Sequence, residues 1–169
     1  MPTQVTAHGT FVNPDEGLRV EAVSGSGFAM GFDSAPVAEG GVAASPTETV
    51  LAALMACTAM DVASILRKKR QPFLGYQIHA TAEKRDEHPQ VFTSIVIEHR
   101  LVGAMTVEAV RRSIELSATA YCPVSAMLSA SVHIEHRYLV QRPEDGTNES
   151  GLVVVTGPAG GRALGAATP

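Results

Sequence analysis

The sequence predicts one globular domain that mixes strands with helices around a long apolar helix. Three observations carry this. The chain has 169 residues and is 45% hydrophobic, enough for one sizeable core and too apolar for a disordered segment. A helix start at Ser45-Pro46-Thr47-Glu48 leads into a run without a polar side chain from Val50 to Cys57. On both sides of that run, short stretches alternate apolar and polar residues with the period of two that marks strands.

The central helix is read first. Ser45 can accept from a free N–H of the first turn, Pro46 has no N–H to leave unpaired, and Glu48 completes a capping box. No Gly or Pro occurs after that until Pro72, so the helix is expected to run to about Lys68 or Arg70. A helix apolar on nearly every face has to be enclosed on most sides. Thr58, Asp61 and Ser64 interrupt it, and a membrane span rarely tolerates a central Asp. It is therefore read as a buried helix of a soluble, cytoplasmic protein. The basic run Arg67-Lys68-Lys69-Arg70 suits a solvated C-terminal helix end. Met1 to Thr10 shows no basic stretch followed by an apolar run, so no signal peptide is expected. The formal charge of −4 argues against nucleic acid or an anionic membrane as partner.

The remaining elements are taken in chain order. Residues 4–32 read as strands, with a turn at Asn13-Pro14-Asp15-Glu16-Gly17 and a hairpin loop at Ser24-Gly25-Ser26-Gly27. A loop rich in Ala and Gly spans 33–44. Strands are expected from Gly75 to Ala82 and from Val91 to Val102, joined by a charged connection. A second helix starts near Thr106 and is interrupted by Pro123. Cys122 then caps a short helix to about Ser129, and a last strand runs from Val132 to Val140. The domain is placed at 1–142, and 143–169 is read as a Gly/Ala/Pro-rich tail in which Leu152 to Val155 offers one further strand.

Ile97-Glu98-His99-Arg100 recurs as Ile134-Glu135-His136-Arg137. Alternation places both histidines on apolar faces, and two core or sheet-edge histidines are preferred over a metal or acid–base pair. His133 and His136, three apart on a strand, face opposite ways.

Chemistry rests on the two cysteines. Cys57, Asp61 and Ser64 share one face of the central helix. Asp61 one turn away disfavours a thiolate at Cys57, whereas the helix N-terminus at Cys122 favours one. Local physics alone thus nominates Cys122 as nucleophile, with two inert buried thiols as the plain alternative.

Ser45-Pro46-Thr47-Glu48, Ala56-Cys57-Thr58-Ala59-Met60-Asp61-Val62 and Ala120-Tyr121-Cys122-Pro123-Val124-Ser125 together resemble the OsmC/Ohr family of osmotically inducible and organic hydroperoxide resistance proteins. The likeness extends from about Leu18 to Val140, and is nearest to the OsmC-like branch with Cys-x-x-x-Asp-Val. It implies an α+β fold: curved antiparallel sheets around two long central helices, in an intertwined homodimer with its sites at the subunit interface. It also implies a thiol-dependent peroxidase acting on organic hydroperoxides and recycled by a dithiol reductant. Cys57 would be the peroxidatic residue and Cys122 the resolving one, which reverses the local assignment. Peroxidases of the family hold the thiol with a Glu and an Arg. The place of that Glu is Thr47 here; Glu48 lies one position later, half a helical circle from Cys57, and suits a cap better. The Arg falls near Arg19, with Arg85 as rival. No cofactor or metal is expected. A non-catalytic protein binding a small hydrophobic ligand in the interface pocket is the alternative, and a structural dimer with inert thiols ranks third.

Overall fold

The computed structural model describes residues 4–12 and 17–158. The chain forms two compact units, Met1–Val50 and Leu51–Pro169. Most of the turn expected at 13–17 lies outside the described residues, as does the end of the expected tail from residue 159.

The first unit is an antiparallel meander of β1 (Ala7–Val12), β2 (Arg19–Ser24) and β3 (Ala29–Phe32). The Ser24–Gly27 loop joins β2 to β3 as expected, with Ser24 Oγ accepting from the Phe28 N–H at 3.1 Å. Asp33 organises the next loop by accepting from the N–H groups of Ala35 (3.0 Å) and Val42 (3.2 Å). Those two bonds hold its carboxyl below the usual range. No described residue of 4–50 is buried, and Phe28, Leu18 and Phe11 are exposed. The capping box forms as the sequence indicates. Ser45 N–H donates to Glu48 Oε2 at 2.7 Å, and Glu48 N–H donates to Ser45 Oγ at 3.3 Å.

Helix α1 (Pro46–Lys68) begins there and runs on into the second unit. Its buried stripe is narrow: Leu54, Thr58, Val62 and Leu66, one residue per turn. By length and composition α1 could cross a membrane, but this stripe packs in the protein core. The sheet of this unit has the order β4 (Gly75–Lys84), β5 (Phe92–Val102), β6 (His133–Arg142), β7 (Thr147–Thr156). Between β5 and β6 come α2 (Val107–Leu116), a single π-helical turn (Ser117–Tyr121) and α3 (Pro123–Leu128). Helix α2 starts near Thr106 as expected, and Thr106 caps it by accepting from the Ala109 N–H at 3.2 Å.

Two expectations are corrected. The sheet is mixed, because β5 and β6 run parallel while the other pairs are antiparallel. Parallel neighbours need a long crossover, and α2 to α3 provides it. The boundary at 142 falls at the end of β6, and the strand offered at Leu152 to Val155 is part of a longer one: β7 pairs with β6 along almost its whole length. Val153 and Val154 of β7 are buried in the core. Its outer half, Thr147 to Ser150, is polar and masks the strand pattern. Gly151 is flush against Tyr138: a Cβ there would stand 3.2 Å from the ring.

The apolar core has two clusters. One gathers Val62, Leu66, Leu101, Ile114 and Val140; the other gathers Leu54, Ile95, Ile97, Cys122 and Ile134. Along the inward faces of α1, β5 and β6, the residues between the clusters are Thr58, His99 and His136, all fully buried. The repeated segments lie in parallel strands staggered by two residues, with Ile97 opposite His136. Tyr76 Oη lies 2.7 Å from His99 Nδ1, and His99 Nε2 lies 3.3 Å from His136 Nδ1. Burial pushes the Tyr76 hydroxyl far up, so it stays protonated and donates to His99. His99 then carries its proton on Nε2 and donates to His136, a tautomer assigned from the network. The histidines are core residues, as preferred from the sequence.

This layer predicts an acid-labile fold. Burial holds His99 well below its ordinary range and lowers His136 to about 4. Unfolded histidines titrate near 6.5, so the unfolded chain binds more protons as pH falls from about 6.5 to about 4. Stability is complete above that window and is lost through it, by roughly 2–3 kcal/mol at pH 4.5 from His136 alone. Urea unfolding at pH 7 and pH 4.5 measures this. Equal midpoints for the wild type would refute it, and His136→Gln should flatten the dependence.

Candidate active site

The site is built where α1 meets the crossover. Cys57 and Asp61 stand one turn apart on α1. Cys122 comes directly after the π turn, whose wide i→i+5 closure is the bond from Cys122 N–H to the Ser117 carbonyl at 2.9 Å. Pro123 at the first position of α3 stops the preceding helix and starts the next, which leaves Cys122 as N-cap. Its sulfur takes the place of the usual cap oxygen and accepts from the Ser125 N–H at 3.3 Å.

This brings Cys57 Sγ, Cys122 Sγ and a carboxylate oxygen of Asp61 within 4.8 Å of one another. Both thiols are free. Thr58 Oγ1 lies 2.9 Å from the Leu54 carbonyl and 3.8 Å from Cys122 Sγ. The hydroxyl has one proton and spends it on the nearer carbonyl, so toward Cys122 it serves as an acceptor. Ser117 Oγ donates to Asp61 Oδ2 at 3.0 Å and fixes the carboxylate. Cys57 is half-buried; Cys122 is only 2% exposed.

The electrostatics are asymmetric. Burial pushes the Cys57 thiol up to about 11, helped by its hydrogen bond with Cys122 and by the charge of Asp61. The Val124 N–H, in the first turn of α3, donates to Cys57 and pulls the other way. The start of α3 therefore offers one N–H to each sulfur: Val124 to Cys57 and Ser125 to Cys122. The sequence placed Cys122 at a helix N-terminus; the same terminus also serves Cys57. Beside Asp61 a cavity of about 500 Å³ opens between Ser64, Ile65, Lys68, Leu116 and Tyr121.

The other candidates, Glu48, Arg19 and Arg85, make contacts within their own elements. Glu48 lies in the capping box, where its carboxylate also accepts from Ser45 Oγ at 2.7 Å. Arg19, in the first unit, pairs with Glu21 at 3.0 Å, and its buried Nε has no hydrogen-bond partner among the described residues. Arg85 donates from Nε to the Pro89 carbonyl inside its own loop. Sequence reasoning missed Thr58, Ser117 and the two N–H groups of α3. Thr58 and Ser125 stood within the two cysteine motifs as unused polar residues. Ser117 gave no signal, because a π turn has no sequence pattern of its own.

Two thiols and a carboxylate thus meet at the N–H groups of a short helix. The model of the OsmC-like protein family matches residues 38–137, and the chain belongs to that family. Protein YhfA of Escherichia coli strain K12 is 40% identical over 126 residues, which is 74% of this chain and 92% of that protein. An OsmC-like protein from Mycoplasma pneumoniae has the same fold: its structure gives a TM-score of 0.71 at 14% identity, covering 83% of this chain and 99% of that one. So does an organic hydroperoxide resistance protein OsmC from Legionella pneumophila, with a TM-score of 0.60 at 11% identity over 82% of this chain and 96% of that one. These findings bear out the OsmC/Ohr resemblance and its α+β fold.

Proposed function

We propose that this protein is a cytoplasmic, thiol-dependent peroxidase that reduces organic hydroperoxides to alcohols. The observation that carries the reading is the meeting of Cys57 and Cys122, 65 residues apart in sequence, within 4.8 Å at their sulfurs. The Cys57 thiolate attacks the distal oxygen of the hydroperoxide; the O–O bond breaks, and the leaving alkoxide takes a proton to become the alcohol. Cys57 is then a sulfenic acid. The Cys122 sulfur displaces its hydroxyl as water and forms the disulfide. An external dithiol returns both thiols by exchange and is itself oxidised to a disulfide. Cys57 is assigned the first step because it is the more accessible sulfur, and Cys122 the second because it is enclosed beside it.

A thiol raised to about 11 is a weak nucleophile at neutral pH. The reading therefore requires a cation beside Cys57, with Arg19 the first candidate and Arg85 the rival. Consumption of an organic hydroperoxide in the presence of several dithiols tests the function; no consumption with any of them refutes it. The same high pKa favours the second reading, a binding protein for a small hydrophobic ligand, in which Cys57→Ser leaves ligand affinity intact.

The working unit is proposed to be a homodimer. A three-stranded sheet without one buried described residue cannot hold itself together. Along α1, Met60 remains 73% exposed and Val50 40%. A second copy of the chain would cover such faces, across an interface above about 2,000 Å². Sedimentation at micromolar concentration is expected to show a dimer; a stable folded monomer would end this idea.

A further inference from the structure

We propose that Cys57, Asp61 and Cys122 together form a binding site for one thiophilic divalent cation, zinc above all. The three donor atoms lie within 4.8 Å of one another. Around a tetrahedral zinc, thiolates at about 2.3 Å and a carboxylate oxygen at about 2.0–2.2 Å stand roughly 3.5–4 Å apart. The gap to be closed is about an ångström, within the reach of side-chain adjustment. Two sulfurs among three ligands exclude magnesium and calcium, which take oxygen shells. Three protein ligands leave the fourth position for water.

The surroundings support each ligand. Ser117 holds Asp61 by Oδ2, which leaves Oδ1 to coordinate. This is the arrangement by which an outer partner orients a ligating carboxylate. The Val124 and Ser125 N–H groups donate to the two sulfurs and suit thiolates. The place of Asp61 also makes sense here. A carboxylate beside a nucleophilic thiol works against its ionisation, whereas beside a cation it is a third ligand. On binding, each thiol gives up its proton to solvent, and two thiolates and one carboxylate face the dication. No electron moves. The bound metal takes the sulfur electron pairs that an oxidant would attack, so it keeps the pair reduced and shielded.

Titration of the reduced, chelator-treated full chain with cadmium ion under argon tests this. A sulfur-to-cadmium charge-transfer absorption is expected, saturating at one cadmium per chain and reversed by added zinc. Asp61→Asn should weaken cadmium binding by about tenfold or more, and Ser117→Ala, which keeps all three ligands, by about tenfold. The second variant carries the test if the first does not fold by circular dichroism. Protein oxidised to the disulfide should show no band. Absence of a saturating band, or unchanged affinity in both variants, overturns the proposal. The titration uses no peroxide, so its outcome and that of the peroxidase assay are independent.

Discussion

Cys57→Ser is expected to reduce organic hydroperoxide turnover to the uncatalysed rate, while Cys122→Ser should consume one equivalent per chain quickly and a second only as its sulfenic acid is over-oxidised. The difference comes from position. Both sulfurs receive one N–H from α3, so the N-terminus of that helix does not distinguish them. Access does: Cys57 is half-buried and Cys122 is enclosed. An incoming peroxide reaches Cys57 first, and the sulfenic acid it forms finds Cys122 beside it. Without Cys122 that acid persists, can be trapped by a dimedone-type reagent, and is oxidised further to the sulfinic acid. Intact-mass measurement after one and after ten equivalents of peroxide reads both states. Should Cys122→Ser lose all reaction while Cys57→Ser keeps it, the roles are exchanged, as helix position alone had nominated.

Truncation after Arg142 is expected to unfold the second unit in large part. Residues 147–156 form β7, whose Val153 and Val154 are buried in the core. Each buried valine contributes about 1.5–3 kcal/mol, against a total stability of about 5–15 kcal/mol for a typical domain. The cut would also leave β6 as a bare edge with unpaired backbone groups, a template for aggregation. Thermal melting of the truncated and full chains measures the loss. An unchanged melting temperature would restore the reading of 143–169 as a dispensable tail.

Much of the fold was legible because its signals are local. The Ser45–Glu48 capping box, the helix start near Thr106, Pro123 behind Cys122 and the alternation in β5 and β6 each state an element within a few residues. What escaped was decided by partners distant in sequence. Of β7 only Leu152 to Val155 could be offered as a strand; its polar half, Thr147 to Ser150, shows as strand only once β6 is beside it. The parallel pairing of β5 with β6 leaves the same alternation as an antiparallel pairing would. In the site, the meeting of the two cysteines came from family resemblance; their spacing says nothing of it. Asp61 was seen on the right face of α1, but its bond to Ser117 depends on the shape of the crossover.

That crossover carries a further consequence. The turn Ser117–Tyr121 holds one residue more than an α-helical turn would need. Each residue in a helix rotates the chain by about 100°. The bearing of Cys122 relative to α1 is thus governed by how many residues the turn contains, more than by which ones they are. Ser117 and Ala118 within it are small and buried. A scan of substitutions through the turn would register packing losses and miss this entirely. Chain length there works as a vernier, and single-residue insertion or deletion is the kind of change by which relatives with the same two cysteines could differ in whether their sulfurs meet.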